Sequence, residues 1–276
     1  MSETEQVQRW CAGVEYDGSA YRGWQTQQAG VPTVEEELTR ALAFVANHPV
    51  DVTCAGRTDA EVHALSQVVH FSSSARRDPR AWILGGNSRL PDDVNLRWVV
   101  PVPDDFHARY SARSRTYRYV IWNRQARTAL GRNRACWVYH RLNADVMDRA
   151  ARHLLGEHDF SAFRAVACQS KTPFRNVEYI RVQRSGDLVW MDVRANAFLH
   201  HMVRNIAGVL IAVGKGEAPE DWPAQVLALR DRTQGGVTAP AAGLYFIGVR
   251  YPDFPEVDAL SRPGDEPLLP GTSLGG

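Results

Sequence analysis

The chain has 276 residues, 44% of them hydrophobic, and a net charge of +1, enough for one large or two modest domains around a real core. No run of about 18 apolar residues is present, which excludes a hydrophobic membrane span; the four scattered cysteines (Cys11, Cys54, Cys136, Cys168) form no C-x-x-C pair and exclude a disulfide scaffold. The polar N-terminus MSETEQVQRW has no apolar signal core, so a cytoplasmic protein with reduced thiols is expected.

Residues 10–18, WCAGVEYDG, alternate apolar and polar and stop at Asp17-Gly18, which predicts a strand and a turn. A loop rich in Gly, Gln and aromatics follows. TVEEELTRALAFVAN (33–47) puts Val34, Leu38, Leu42 and Val45 on one helical face, with Thr33 and Glu36 spaced as a capping box. VDVTCAG (50–56) and LSQVVHFSS (65–73) predict two strands. A short helix over 79–90 precedes the strand VNLRWVVPV (94–102). After an irregular link, RTYRYVIWN (115–123) alternates strictly, with Tyr117, Tyr119 and Ile121 on one face. Residues 126–142 read as a loop, 143–156 as a helix stopped by Gly156, and 177–197 as a hairpin with Ser185-Gly186-Asp187 at its tip. An apolar helix runs from His200-His201 to Gly214, a short helix covers 223–232, and GLYFIGVRYP (243–252) is the last strand. From Pro252 on, Pro and Gly predict a loose tail. The order strand–helix–strand–strand occurs twice, which predicts an α+β protein of two antiparallel halves. The boundaries are placed at 1–108, 109–251 and a tail of 252–276.

The net charge conceals an uneven distribution. Lys171 and Lys215 are the only lysines, and Phe106 to Arg134 holds eight Arg and no Asp or Glu. Tyr110, Tyr117, Tyr119 and Trp122 interleave with them. Arg forks grip phosphate and stack on bases, and aromatics offer platforms for unstacked bases, so this stretch is a candidate nucleic-acid surface. A solvated strand face in an Arg-biased chain is the plainer alternative.

The connection CAGRTDAEVHA (54–64) concentrates Arg57, Asp59, Glu61 and His63, and three readings compete for it. Thr58-x-x-Glu61 fits a capping box ahead of a helical turn. Asp59, Glu61 and His63, with His70 beyond, alternate as metal ligands on a strand would, although no H-E-x-x-H or zinc-spaced Cys/His pair accompanies them and Arg57 would repel a cation. The third reading makes Asp59 a carboxylate kept ionised and oriented by Arg57, suited to nucleophilic or proton-abstracting work. Elsewhere, Arg204 enters the apolar helix and needs a charged partner if buried. Gly271-Thr272-Ser273-Leu274-Gly275 matches G-x-S-x-G but follows no strand, so it fails as a nucleophile elbow.

The residues themselves resemble a family. GRTDA-x-VHA (56–64) followed by QVVHF (67–71) is similar to the signature of the TruA-type tRNA pseudouridine synthases. YDGSAYRGWQTQ (16–27), TVEEELTRAL (33–42), FHARYSARSRTYRY (106–119), HDFSAFR (158–164), CQSKTPFRN (168–176), NAFLHHMVRNI (196–206) and GLYF (243–246) match further motifs in order. The resemblance implies isomerisation of uridine to pseudouridine at positions 38 to 40 of the tRNA anticodon arm, without cofactor or metal. It implies Asp59 as the catalytic aspartate, Arg57 as its partner that fills the space of the flipped base, Tyr117 stacked on the target uracil and Leu244 on the other side of that base. Arg204, Arg77, the segment Phe106, His107, Ala108, Arg109 and Tyr110, and the segment Cys168, Gln169, Ser170, Lys171 and Thr172 are implied as substrate contacts. The implied fold is two ferredoxin-like halves with adjoining antiparallel sheets and a central cleft, working as a homodimer on tRNA. One position departs from the pattern: Glu61 stands where the family has Gly, a residue that serves a positive φ or a close backbone approach.

Overall fold

The computed structural model describes residues 7–166, 168 and 170–262. Gln169 and the expected tail beyond 262, with its G-x-S-x-G match, lie outside the described residues. The chain is a mixed α/β protein that forms two compact units. The first holds the described residues up to 113 together with 246–262, and the second holds 114–245.

The first unit runs β1 (Gln8–Tyr16), α1 (Val34–Ala46), β2 (Thr53–Cys54), β3 (His63–Ser73), α2 (Pro79–Asn87) and β4 (Val94–Val102). Its strands lie in the order β4-β1-β3, all antiparallel, with β2 paired to the other edge of β3. The stripe Val34, Leu38, Leu42 and Val45 is buried, as the 3.6-residue period requires. Trp82 of α2 packs edge-on to Phe71 of β3 at 4.9 Å and lies 5.9 Å from Trp10 of β1. Asp78 caps α2 by accepting from the Ala81 amide at 2.7 Å. The capping box expected on α1 does not form. Thr33 sits at the N-cap, but its side chain accepts no cap hydrogen bond; the hydroxyl is buried without a partner. Glu35 instead turns back to the preceding loop, accepting from Gln25 Nε2 at 2.7 Å and the Thr26 amide at 2.8 Å.

The second unit runs β5 (Ser114–Asn123), β6 (Cys136–Val138), α3 (Ala144–Ala151), β7 (Gly156–Asp159), β8 (Phe174–Ser185), β9 (Leu188–Ala195), α4 (Met202–Gly214) and α5 (Trp222–Leu229). Its strands lie in the order β5-β9-β8-β7, antiparallel throughout. Two strands were not expected. β6 pairs parallel with β5 inside the stretch read as a loop, because the Asn123 amide donates to the Val138 and His140 carbonyls at 3.0 and 2.7 Å. Gly156, read as a helix stop, starts β7 on the edge of β8. On β5 and β9, Arg118 and Asp192 face each other across the ladder. They form a bidentate buried ion pair, Nε to Oδ1 and Nη2 to Oδ2, both at 2.6 Å.

β10 (Leu244–Arg250) leads the chain from the second unit into the first, and α6 (Pro255–Ser261) follows. The helix corrects the expectation of a loose tail from Pro252. Its Asp258 accepts from the Tyr251 amide at 2.7 Å and pairs with Arg250 and Arg262, while Ser261 Oγ donates to the Val249 carbonyl at 3.0 Å. Buried polar bonds of this kind fasten a short helix whose composition alone would leave it unfolded. The same segment is tied to the first unit by Arg113 N donating to Arg250 O at 2.8 Å and by Tyr251 Oη donating to Ala108 O at 2.6 Å. The unit boundary therefore falls at 113/114, a few residues beyond the expected one. No helix among the described residues is long and apolar enough to cross a membrane.

Candidate active site

The loop 55–62 leaves β2 and enters β3, and its shape is set by buried polar anchors. Ala55 N donates to Val68 O at 2.8 Å, continuing the ladder by one rung. Gln67 of β3 donates to Gly56 O at 2.7 Å. Thr58 turns inward: its hydroxyl meets Tyr16 Oη at 2.8 Å, and its carbonyl accepts from Trp24 N at 3.0 Å. Burial pushes the Tyr16 phenol well above its usual range, so it stays a neutral hydrogen-bonding group. Two glycines of the 17–24 loop make room. A Cβ on Gly18 would lie 2.0 Å from Val62 O, and one on Gly23, whose φ is +101°, would lie 2.9 Å from Thr58 O. Any larger residue at either place would push this loop away.

Asp59 emerges half-buried from this frame, and Arg57 is exposed. The intervening Thr58 is buried. The capping-box reading fails: Asp59 to Val62 is a single turn, closed by Val62 N donating to Asp59 O at 3.2 Å, and a strand follows. The two histidines of the metal reading have other partners. Nδ1 of His63 lies 3.1 Å from both Gly18 N and Asp17 Oδ1, and Nδ1 of His70 accepts from Ala108 N at 3.1 Å. The hydrogen bond to His63 holds the Asp17 carboxyl well below the usual carboxylate range.

Glu61 occupies the third position of that turn with φ at +65°. The left-handed region costs a residue with a Cβ about 1 kcal/mol, and Gly carries no such penalty. The Glu61 side chain is exposed, so a positive φ, and not a close backbone approach, is what this position demands. Glu61→Gly is therefore expected to raise the unfolding free energy by about 0.5–1 kcal/mol, net of the extra chain entropy of Gly. Glu61→Ala, which keeps the Cβ, should gain nothing. Equal melting temperatures for the Gly and Ala variants would refute backbone strain as the cause.

In the second unit, Tyr117 stands on β5, nearly buried, with its ring edge-on to Phe198 at 5.0 Å. Tyr119 shares its face and donates its hydroxyl to Pro240 O at 2.8 Å. Arg204 is half-buried near the start of α4, and its Nε donates to Ala239 O at 2.8 Å. Leu244 is buried at the head of β10. His200 and His201 lie ring to ring at 4.0 Å, the former exposed and the latter half-buried.

The expected RNA-contacting segments divide by burial. Phe106 and Ala108 are fully buried and cannot offer side chains to a substrate. Phe106 packs on Tyr251 and Phe254 at 5.2 and 5.0 Å. They anchor the segment, while His107, Arg109 and Tyr110 reach the surface. Arg77 is exposed, with Nε donating to Val45 O at 3.1 Å. Lys171 and Thr172 are exposed, and Cys168 and Ser170 are half-buried. Buried Arg175 holds that loop, donating to Ser170 Oγ at 2.6 Å and Thr172 O at 3.0 Å. The sequence reading missed Arg175, Tyr16, Gln67 and the two glycines as supports. Only the glycines left a signal, in the loop between the first strand and helix.

His70 has a measurable consequence. Burial, aided by the neighbouring His107 and Arg9, pushes it down to about 4 from 6.5. Between these values the unfolded chain binds a proton that the folded chain does not. The stabilisation is full above about pH 6.5 and is lost progressively as pH falls to about 4, amounting to about 2–3 kcal/mol. Melting temperature followed from pH 7.5 to 4 should fall less steeply in His70→Asn, whose amide oxygen can still accept from Ala108. Parallel profiles would reject His70 as a source.

Comparison with known proteins adds three findings. The family described as tRNA pseudouridine synthase matches residues 12–111 and 150–252. The chain is similar to tRNA pseudouridine synthase A of Xanthomonas euvesicatoria pv. vesicatoria, at 57% identity over 245 residues, covering 88% of this chain and 95% of that protein. It is also similar to tRNA pseudouridine synthase A of Enterobacter sp. (strain 638), at 52% identity over 271 residues, covering 98% of this chain and 99% of the relative.

Proposed function

Since the chain belongs to the tRNA pseudouridine synthase family and is an isomerase, we propose that it converts uridine to pseudouridine at positions 38 to 40 of the tRNA anticodon arm, with Asp59 as the nucleophile. The C1′–N1 bond breaks, the base turns, C5 joins C1′, the C5 proton leaves and N1 takes one up. Nothing is consumed, so the reaction needs no redox cofactor. On this reading Asp59 acts on the target nucleotide, and exposed Arg57 takes the place that the extruded base leaves in the stack. Extrusion costs a few kcal/mol, and a planar cation in the vacated space offsets part of it.

The observation that carries the proposal is the loop 55–62. Its backbone is held by Gln67, Trp24 and Tyr21 and its Thr58 side chain by Tyr16, so Asp59 is presented from a rigid frame, as an attacking group requires. The strand orders β4-β1-β3, with β2 on β3, and β5-β9-β8-β7, with β6 on β5, support two halves built on largely antiparallel sheets, which we read as ferredoxin-like. The protein is further proposed to act as a homodimer in the cytoplasm. The deciding assay is tritium release from tRNA carrying 5-tritiated uridine. Release that survives EDTA is the expected result. Binding without release would reduce the protein to a tRNA-binding module, and strand cleavage abolished by EDTA would replace the synthase with a metal-dependent phosphodiesterase.

A further inference from the structure

Three buried polar side chains gather beneath the loop that presents Asp59. Tyr16 of β1 is 3% exposed, Thr58 7% and Gln67 of β3 0%. Their hydrogen bonds run in one direction. An amide nitrogen only donates, so Gln67 Nε2 gives one proton to Gly56 O at 2.7 Å and the other to Tyr16 Oη at 3.5 Å. The phenol proton is then left for Thr58 Oγ1, 2.8 Å away. The Tyr16 ring is itself packed on Trp24, centre to centre 6.0 Å. The Trp24 amide donates to Thr58 O at 3.0 Å, and the Trp24 carbonyl accepts from Glu35 N at 3.0 Å, in the first turn of α1.

Thr58 is therefore held at both its hydroxyl and its carbonyl. A peptide unit is planar, so fixing the Thr58 carbonyl also fixes the amide of Asp59. The next peptide unit is fixed by Val62 N donating to Asp59 O at 3.2 Å. Between two held planes, only side-chain torsions remain to aim the Asp59 carboxylate. Stability alone does not call for this cluster. Phe and Val have the shapes of Tyr and Thr without the hydroxyls, and replacing both members of a hydrogen-bonded pair by apolar groups of the same shape is nearly neutral. What the hydroxyl pair adds is direction. We propose that Tyr16 and Thr58 are positioning residues of the reaction: the chain Gln67–Tyr16–Thr58 fixes the peptide plane from which Asp59 is aimed at the target nucleotide. This rests on the reading of Asp59 as nucleophile and deepens it, since both residues act through Asp59.

The test compares Tyr16→Phe, Thr58→Val and the double variant in the full-length protein. It reads single-turnover tritium release at saturating enzyme, Kd for an unmodified tRNA transcript, and melting temperature, with rates taken where every variant is folded. Each single variant is expected to slow release about 10–100-fold, the scale on which a small misplacement of a reacting group acts, with Kd unchanged. The double variant is expected to be no slower than the slower single one, because both remove the same bond, and to melt close to the parent. Thr58→Ser, which keeps the hydroxyl, is expected to recover most of the rate. A parental rate in Tyr16→Phe overturns the proposal. So do losses that multiply in the double variant, which would mean two independent effects, or a weaker Kd that accounts for the loss, which would make the pair a support of the binding surface. Absence of release by the unaltered protein would instead refute the isomerase reading itself, and this proposal with it.

Discussion

Asp59→Asn should reduce tritium release by about 10⁴-fold or more, while the protein keeps its fold and its grip on tRNA. The magnitude follows from the role. Removing the attacking group of an enzyme leaves only the acceleration from binding and orientation, and comparable losses in other nucleophilic enzymes are of this order. The fold survives because the frame around residue 59 is made by other groups. Thr58 holds Tyr16 and Trp24, Gln67 holds Gly56, and the turn is closed by the carbonyl of Asp59, which Asn retains. The amide is nearly isosteric with the carboxylate and removes only its charge and nucleophilicity. Single-turnover release at saturating enzyme, with melting temperature as the control, reads both outcomes. Activity above a tenth of the original would end the case for Asp59.

The second large effect is on stability. Arg118→Met should destabilise the second unit by about 3–5 kcal/mol, the cost of leaving a buried charge without its partner. Arg118 is 1% exposed and Asp192 8%, and two hydrogen bonds at 2.6 Å join them. With Arg gone, the carboxylate faces Trp190 and Val120 across the β5–β9 ladder and has little water to turn to. The double variant Arg118→Met/Asp192→Leu should recover most of the loss, since well-packed apolar residues often replace a buried ion pair at no net cost. Urea denaturation followed by near-ultraviolet circular dichroism measures all three. If the single variant unfolded at the urea midpoint of the parent, the pair would count as no more than a surface contact.

Arg118 also shows where sequence reading stops. It belongs to the Arg-rich stretch that suggested a nucleic-acid surface, yet it is spent inside the protein. Strict alternation in 115–123 correctly separates Tyr117 and Tyr119 from Arg118 onto opposite faces. Alternation says nothing about what covers each face. The same limit explains β6, β7 and α6. Each is short and lacks a strong period, and each forms because distant polar groups receive it: Asn123 for β6, the edge of β8 for β7, Tyr251 and Arg250 for α6.

By itself the sequence determined the α+β order, the apolar faces of α1 and α4, and the chemistry concentrated at Arg57 and Asp59. Those are properties of residue type and spacing within a dozen residues, and local patterns carry them. It also marked Glu61 as out of place, and the positive φ gives the physical reason. Only the tertiary structure could decide that Phe106 and Ala108 are buried anchors and that Tyr110 crowns a column of rings. These depend on which distant side chain arrives beside each residue. Tyr16 reaches Thr58 over a sequence separation of 42, and Ala108 reaches His70 over one of 38, distances over which no periodicity in the chain keeps register.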